Sequence, residues 1–102
     1  MEADNAPSIQ ALFALGRTVA TPGALALLGQ LEVAPLTLLV RHQTGEWAEM
    51  CQEDQAMNRL AVAQGLRVFS SFELCSGPVS HKVWIITEWD RSVTTILMPE
   101  DS

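Results

Sequence analysis

The chain has 102 residues, 48% hydrophobic and 18% charged, which is one domain's length and a globular composition. Its net charge is -6, Lys82 is the only lysine, and Arg17, Arg41, Arg59, Arg67 and Arg91 are scattered, so the clustered cations of a duplex-DNA binder are missing and direct nucleic-acid binding is disfavoured. The longest apolar stretches are interrupted by Gly16, Arg17, Gly29 and Arg41, so no membrane span is expected.

Residues 1–10 are polar and acidic, with a proline, and read as a loose segment ahead of a single α+β domain over residues 11–102. The positive charge that a signal peptide needs is absent there. Cys51 and Cys75 lie far apart without a CxxC or zinc spacing, as two free thiols would in a reducing compartment, so a cytoplasmic location is expected. Residues 12–20 read as an apolar lead-in and a short strand. Thr21-Pro22-Gly23 is a helix start, because the Thr21 hydroxyl can accept from free N–H groups and Pro22 sits where a missing donor costs nothing. That helix runs through Leu27 and Leu28 and is expected to end at Gly29.

Pro35 opens a second helix with Leu36, Leu39 and Val40 as its core stripe and a stop near Thr44-Gly45. A third begins around Glu53-Asp54, whose carboxylates suit the positive end of the helix dipole, and ends at Gly65. Its predicted stripe is Ala56, Leu60 and Ala63, with Met57 and Ala61 beside it. The period then switches to two. Leu66, Val68, Ser70, Phe72 and Leu74 share one strand face against Arg67, Phe69, Ser71 and Glu73. A loop at 75–80 leads to a central strand at 82–88, apolar on both faces, and a tight turn at 89–92 leads to a last strand at 93–98. The predicted fold is a short N-terminal strand and three helices packed on one face of a C-terminal three-stranded antiparallel meander, to which the first strand could add at an edge.

Val19-Ala20-Thr21-Pro22-Gly23-Ala24-Leu25, Arg41-His42, Gly45-x-Trp47 and Trp84-Ile85-Ile86-Thr87-Glu88-x-Asp90-Arg91-Ser92 followed by Thr94-Thr95 together resemble a small family of uncharacterised bacterial proteins. Its members are carried on plasmids, integrative elements and other mobile DNA. The resemblance covers the chain from about Leu12 to Pro99, with Phe72 and Trp89 standing where the pattern has tyrosine and a small or polar residue. It implies an accessory gene of a mobile element or its cargo, and carries no activity or cofactor.

The densest polar run is 87–95, where Glu88, Asp90, Arg91 and Thr94 could bind a small polar ligand or a partner's backbone. Ordinary turn and strand chemistry accounts for the same residue types. Arg41 and His42, followed by Trp47, could do acid–base work or stack on a flat ligand, though a histidine in a last helical turn more often meets the free carbonyls there. If the helical layer ends beside the second hairpin turn, His42, Trp47, Asp90 and Arg91 would converge. No GxSxG, GxGxxG or Walker-type motif is present, and Glu49, Glu53 and Asp54 have no histidine close in sequence, so no catalytic residue, metal or cofactor is assigned and an enzyme is disfavoured.

With a central strand apolar on both faces and helices on one, something should cover the other face, and a homodimer is the simplest cover. The leading expectation is a non-enzymatic protein-interaction or regulatory module of a bacterial mobile element, with a protein partner of unknown identity and no membrane. The alternatives are a small-ligand site or minor enzyme at His42, Trp47, Asp90 and Arg91, and an acidic mimic of DNA.

Overall fold

The computed structural model describes residues 11–101, so the expected loose segment 1–10 lies outside the described residues. The order is β1 (Arg17–Ala20), α1 (Pro22–Leu31), α2 (Pro35–Thr44), α3 (Gln52–Gln64), β2 (Val68–Ser76), β3 (Val79–Thr87), β4 (Val93–Leu97) and a short 3-10 turn at Pro99–Asp101. β2, β3 and β4 form the expected antiparallel meander. β1 joins it in parallel alongside β4, so the sheet is mixed and four-stranded, in the order β1-β4-β3-β2. A three-stranded sheet was too small. A four-residue strand has too little period-2 signal to reveal its neighbour, and the neighbour here comes from the far end of the chain.

The helix ends follow local chemistry with one exception. Thr21 Oγ1 accepts from the Ala24 N–H at 3.2 Å, and both α1 and α2 carry proline in their first turn. Gly45 and Gly65 close α2 and α3 in the left-handed conformation, at φ 82° and 68°. Gly29, expected to stop α1, lies inside it; the helix runs on to Leu31 and Glu32 takes the left-handed cap instead, at φ 57°. α1 and α2 meet at a break bent by 105°, and among the described residues no single helix is long and apolar enough to cross a membrane.

The main core forms where α1 (Ala24, Leu27, Leu28) and α2 (Leu38, Leu39) meet one sheet face (Phe72, Val83, Ile85, Ile96). Val68 continues that face to a smaller cluster with Trp47, Met50 and Ala61 of α3. Two predicted helix stripes are rotated. In α2 Leu38, Leu39 and His42 are buried while Leu36 is 66% exposed. In α3 the buried residues are Asn58 and Ala61, while Met57 and Leu60 are 60% and 42% exposed.

Hydrogen bonding explains α3. The Asn58 side chain accepts from Phe69 N–H at 3.1 Å and donates to Phe69 C=O at 2.5 Å. Phe69 belongs to β2, which has β3 on one side only. The Asn58 amide therefore stands where the next strand's peptide would be, and leaving those groups buried and unpaired would cost about 1–3 kcal/mol each. Glu49 does the same four residues along, its Oε1 accepting from Glu73 N–H at 3.1 Å. Side chains thus answer the outward groups of Phe69 and the outward N–H of Glu73 on that edge.

The opposite sheet face carries Phe69, Trp84, Ile86, Thr95 and Leu97, in register across the strands. Ile86 and Leu97 are buried, Phe69 and Trp84 are half-buried and meet edge-on at 5.1 Å, and the Pro99–Asp101 turn folds back against β3.

Candidate functional site

The helix, the sheet and the lead-in converge on His42. In α2, Leu38 and His42 are four residues apart and point to the same side. Across the sheet, Thr87 of β3 faces Thr94 of β4 directly, and Ser70 of β2 lies on the same face. His42, Ser70, Thr87 and Thr94 are all completely buried. His42 Nδ1 lies 2.5 Å from Ser70 Oγ and Nε2 lies 2.8 Å from Thr87 Oγ1. Thr87 Oγ1 is 2.7 Å from Thr94 Oγ1, which donates at 2.7 Å to the carbonyl of Leu15.

The order of donors along this chain fixes the proton on Nε2, and a neutral ring then fixes the rest. A carbonyl only accepts, so the Thr94 hydroxyl proton belongs to the Leu15 oxygen. Thr94 Oγ1 must then accept from Thr87, whose own oxygen must accept from His42. His42 therefore carries its proton on Nε2, and Nδ1 accepts from Ser70 O–H. The ring is neutral in this scheme, and its pKa agrees: burial first, and the Arg91 charge second, lower it from 6.5 to about 3. A ring that does not take up a proton near neutral pH makes a poor general base, and this one is completely buried.

Phe13 and Arg91 close this cluster. The Phe13 ring meets the imidazole edge-on at 5.1 Å, and the Arg91 guanidinium lies 5.3 Å from the centre of the same ring. Arg91 donates to three carbonyls: Leu66 at 2.6 Å, Glu88 at 3.1 Å and Ala61 at 3.1 Å. Two of these, from Ala61 in α3 and Leu66 just past its end, lie at the helix's negative end, which favours a cation. Its backbone is left-handed, φ 59°, to complete the turn from β3 to β4. Gly16 passes so close that a Cβ there would sit 2.3 Å from Arg91 O.

Thus His42 and Thr94 join one bonded chain, and Arg91 reaches it through Phe13. The other expected site residues are outside that bonded chain. Asp90 is exposed and accepts from Ser92 N–H at 3.1 Å and Ser92 Oγ at 2.6 Å, hydrogen bonds that hold its carboxyl below the usual range. Glu88 is half-buried and accepts Arg91 through its main chain. Trp47 belongs to the smaller core cluster, with its indole N–H unpaired among the described residues. Arg41 stands over Phe72 at 4.7 Å and pairs with Glu46 at 3.4 Å and Glu49 at 3.3 Å. The convergence of His42, Trp47, Asp90 and Arg91 on one pocket is not what the geometry gives. Thr87, the first residue of the polar run, joins the cluster, and Ser70, Phe13 and Gly16, which sequence reasoning misses, complete it. The available signal was that Ser70 falls on the buried phase of its strand.

The described residues form a groove elsewhere, about 240 Å³ in volume, between β1 and the helices and lined by Val19, Ala20, Leu25, Pro35 and Leu39 among others. Among the described residues no group of three or more His, Cys, Asp and Glu side chains is placed to hold a metal. No protein-family model, curated protein or solved structure matches the chain.

Proposed function

We propose that the protein is a non-enzymatic interaction or regulatory module, and that it serves a bacterial mobile element as an accessory protein. The mobile-element part rests on the sequence resemblance given above. The interaction part rests on one observation: the chain's densest polar constellation, from Ser70 through His42, Thr87 and Thr94 to Leu15, is buried and satisfies itself. Groups with every proton committed and no solvent contact position structural elements rather than substrates.

What faces outward instead includes apolar side chains, with Leu25 of the groove half exposed and Leu36 of α2 more so. The test is affinity purification of the tagged protein from its host, with and without nuclease, and mass spectrometry on the eluate. A stoichiometric protein that survives nuclease supports the reading. A nuclease-sensitive partner, or a clean eluate together with a tightly bound small molecule, overturns it.

A further inference from the structure

The two edges of the sheet are treated differently. On β2 the outward groups of Phe69 are answered by Asn58 and the outward N–H of Glu73 by Glu49. β1 has no such cover among the described residues. Arg17 and Thr21 donate into β4, to Ser92 O at 3.0 Å and Ile96 O at 2.9 Å. Alternation then turns the N–H and C=O groups of Thr18 and Ala20 away from β4, toward the open edge.

We propose that this edge pairs with the same edge of a second copy, antiparallel about a two-fold axis at Val19, joining two sheets into one. The proposal rests on the interaction reading above and narrows it to one partner. With Val19 opposite its symmetry mate, Thr18 faces Ala20 of the other copy, and both present outward N–H and C=O groups. They therefore form narrow pairs that exchange bonds in both directions. Val19 is 36% exposed, and its side chain would continue the apolar sheet face across the axis.

Charge selects a second copy over an arbitrary strand. An arginine on a short edge strand ordinarily keeps other strands away. In this register, Arg17 falls opposite Thr21 of the other copy, on the same face. Thr21 Oγ1 donates to Asp101 Oδ2 at 2.7 Å, and Met98 N–H donates to the same oxygen at 3.1 Å. These bonds hold the Asp101 carboxyl below its ordinary range and keep it ionised. Among the described residues neither Arg17 nor Asp101 has an ion-pair partner within its own copy. The two-fold axis thus gives each free arginine a fixed carboxylate on the other copy, once on either side.

The experiment is sedimentation velocity and light scattering over a concentration series on the wild type, Arg17→Glu, Asp101→Lys and an equimolar mixture of the two variants. The wild type is expected to dimerise. Each variant alone sets like charges opposite each other twice and should weaken dimerisation by about tenfold or more. Mixed, they restore opposite charges at both positions, so a heterodimer should form at near wild-type strength. Thr18→Pro, which removes an outward donor, should give a folded monomer by circular dichroism.

A wild type that stays monomeric overturns the proposal, and so does a dimer indifferent to both charge reversals or a mixture that fails to recover. If the wild type is monomeric yet still captures a different protein from its host, the self-pairing is wrong and the interaction reading stands. If it dimerises as described and captures nothing else, the second copy is the partner.

Discussion

Acidification should destabilise the protein through His42, and by a calculable amount. In the unfolded chain the ring takes a proton with a pKa near 6.5; in the folded protein that falls to about 3. Below pH 6.5 the unfolded state therefore binds more protons than the folded one, and stability falls with pH until about pH 3. Each pH unit in that window removes about 1.4 kcal/mol, so near pH 4.5 the loss from this group is about 3 kcal/mol.

A domain of this size has about 5–15 kcal/mol in all, so the effect is large. Asp90 and Asp101, with pKa values lowered in the fold, act in the same direction but below the ordinary carboxylate value of 3.8, outside the upper part of the window. The assay is urea unfolding from about pH 7 to about pH 4.5 on the wild type and on His42→Gln. The glutamine amide can donate to Thr87 as the Nε2 proton does and has nothing to titrate. It will lower stability at neutral pH and flatten the pH dependence. Parallel curves for the two proteins would refute the buried neutral imidazole. A direct check is the ring's nitrogen resonances, which should show the Nε2-protonated tautomer unchanged to about pH 4.5.

Other perturbations test the supports around that ring. Arg91→Ala leaves the Leu66 carbonyl without its donor and takes one of several donors from the Ala61 carbonyl, which keeps the Leu66 N–H, and should cost about 1–3 kcal/mol in urea unfolding, with faster amide exchange at the end of α3. Asn58→Leu strips the edge of β2 at Phe69 and should cost about 2–4 kcal/mol, seen as a lower unfolding midpoint with more aggregation in light scattering. Gly16→Ala combines a φ of 65° with a contact to backbone that cannot yield, so the variant should lose at least about 3 kcal/mol, and calorimetry should show a broad, early transition.

Local signals explain why much of the architecture was legible. Thr21-Pro22 started a helix because capping is chemistry within one turn, and Gly45 and Gly65 stopped helices because few other residues adopt positive φ cheaply. β2, β3 and β4 were readable because strands joined by short turns pair with their sequence neighbours. The free thiols and the missing nucleotide-binding and nucleophile motifs were equally matters of sequence. Gly29 shows the limit of such reasoning: nothing lies within 4 Å of where its Cβ would be, so no close contact constrains it and the helix passes through.

Helix rotation, strand partnership and the composition of the polar cluster were decided only in three dimensions. Apolar spacing on α3 pointed to Leu60, but Asn58 must answer two peptide groups on the edge of β2, and a buried unpaired amide costs as much as a buried leucine contributes. β1 beside β4 is a pairing between the two ends of the described chain, invisible to any window of local periodicity. Arg91 was picked out as a turn residue that could meet a ligand; its partners are three carbonyls of the protein itself. His42 was picked out as a helix-end histidine, and the reason it matters is that Ser70, Thr87, Thr94 and Leu15 each supply one atom in line with it. Residue types and local caps are properties of the sequence. Which hydrogen-bond donor meets which acceptor is a property of the packed chain, because directional bonds among buried groups cost too much to leave unmade.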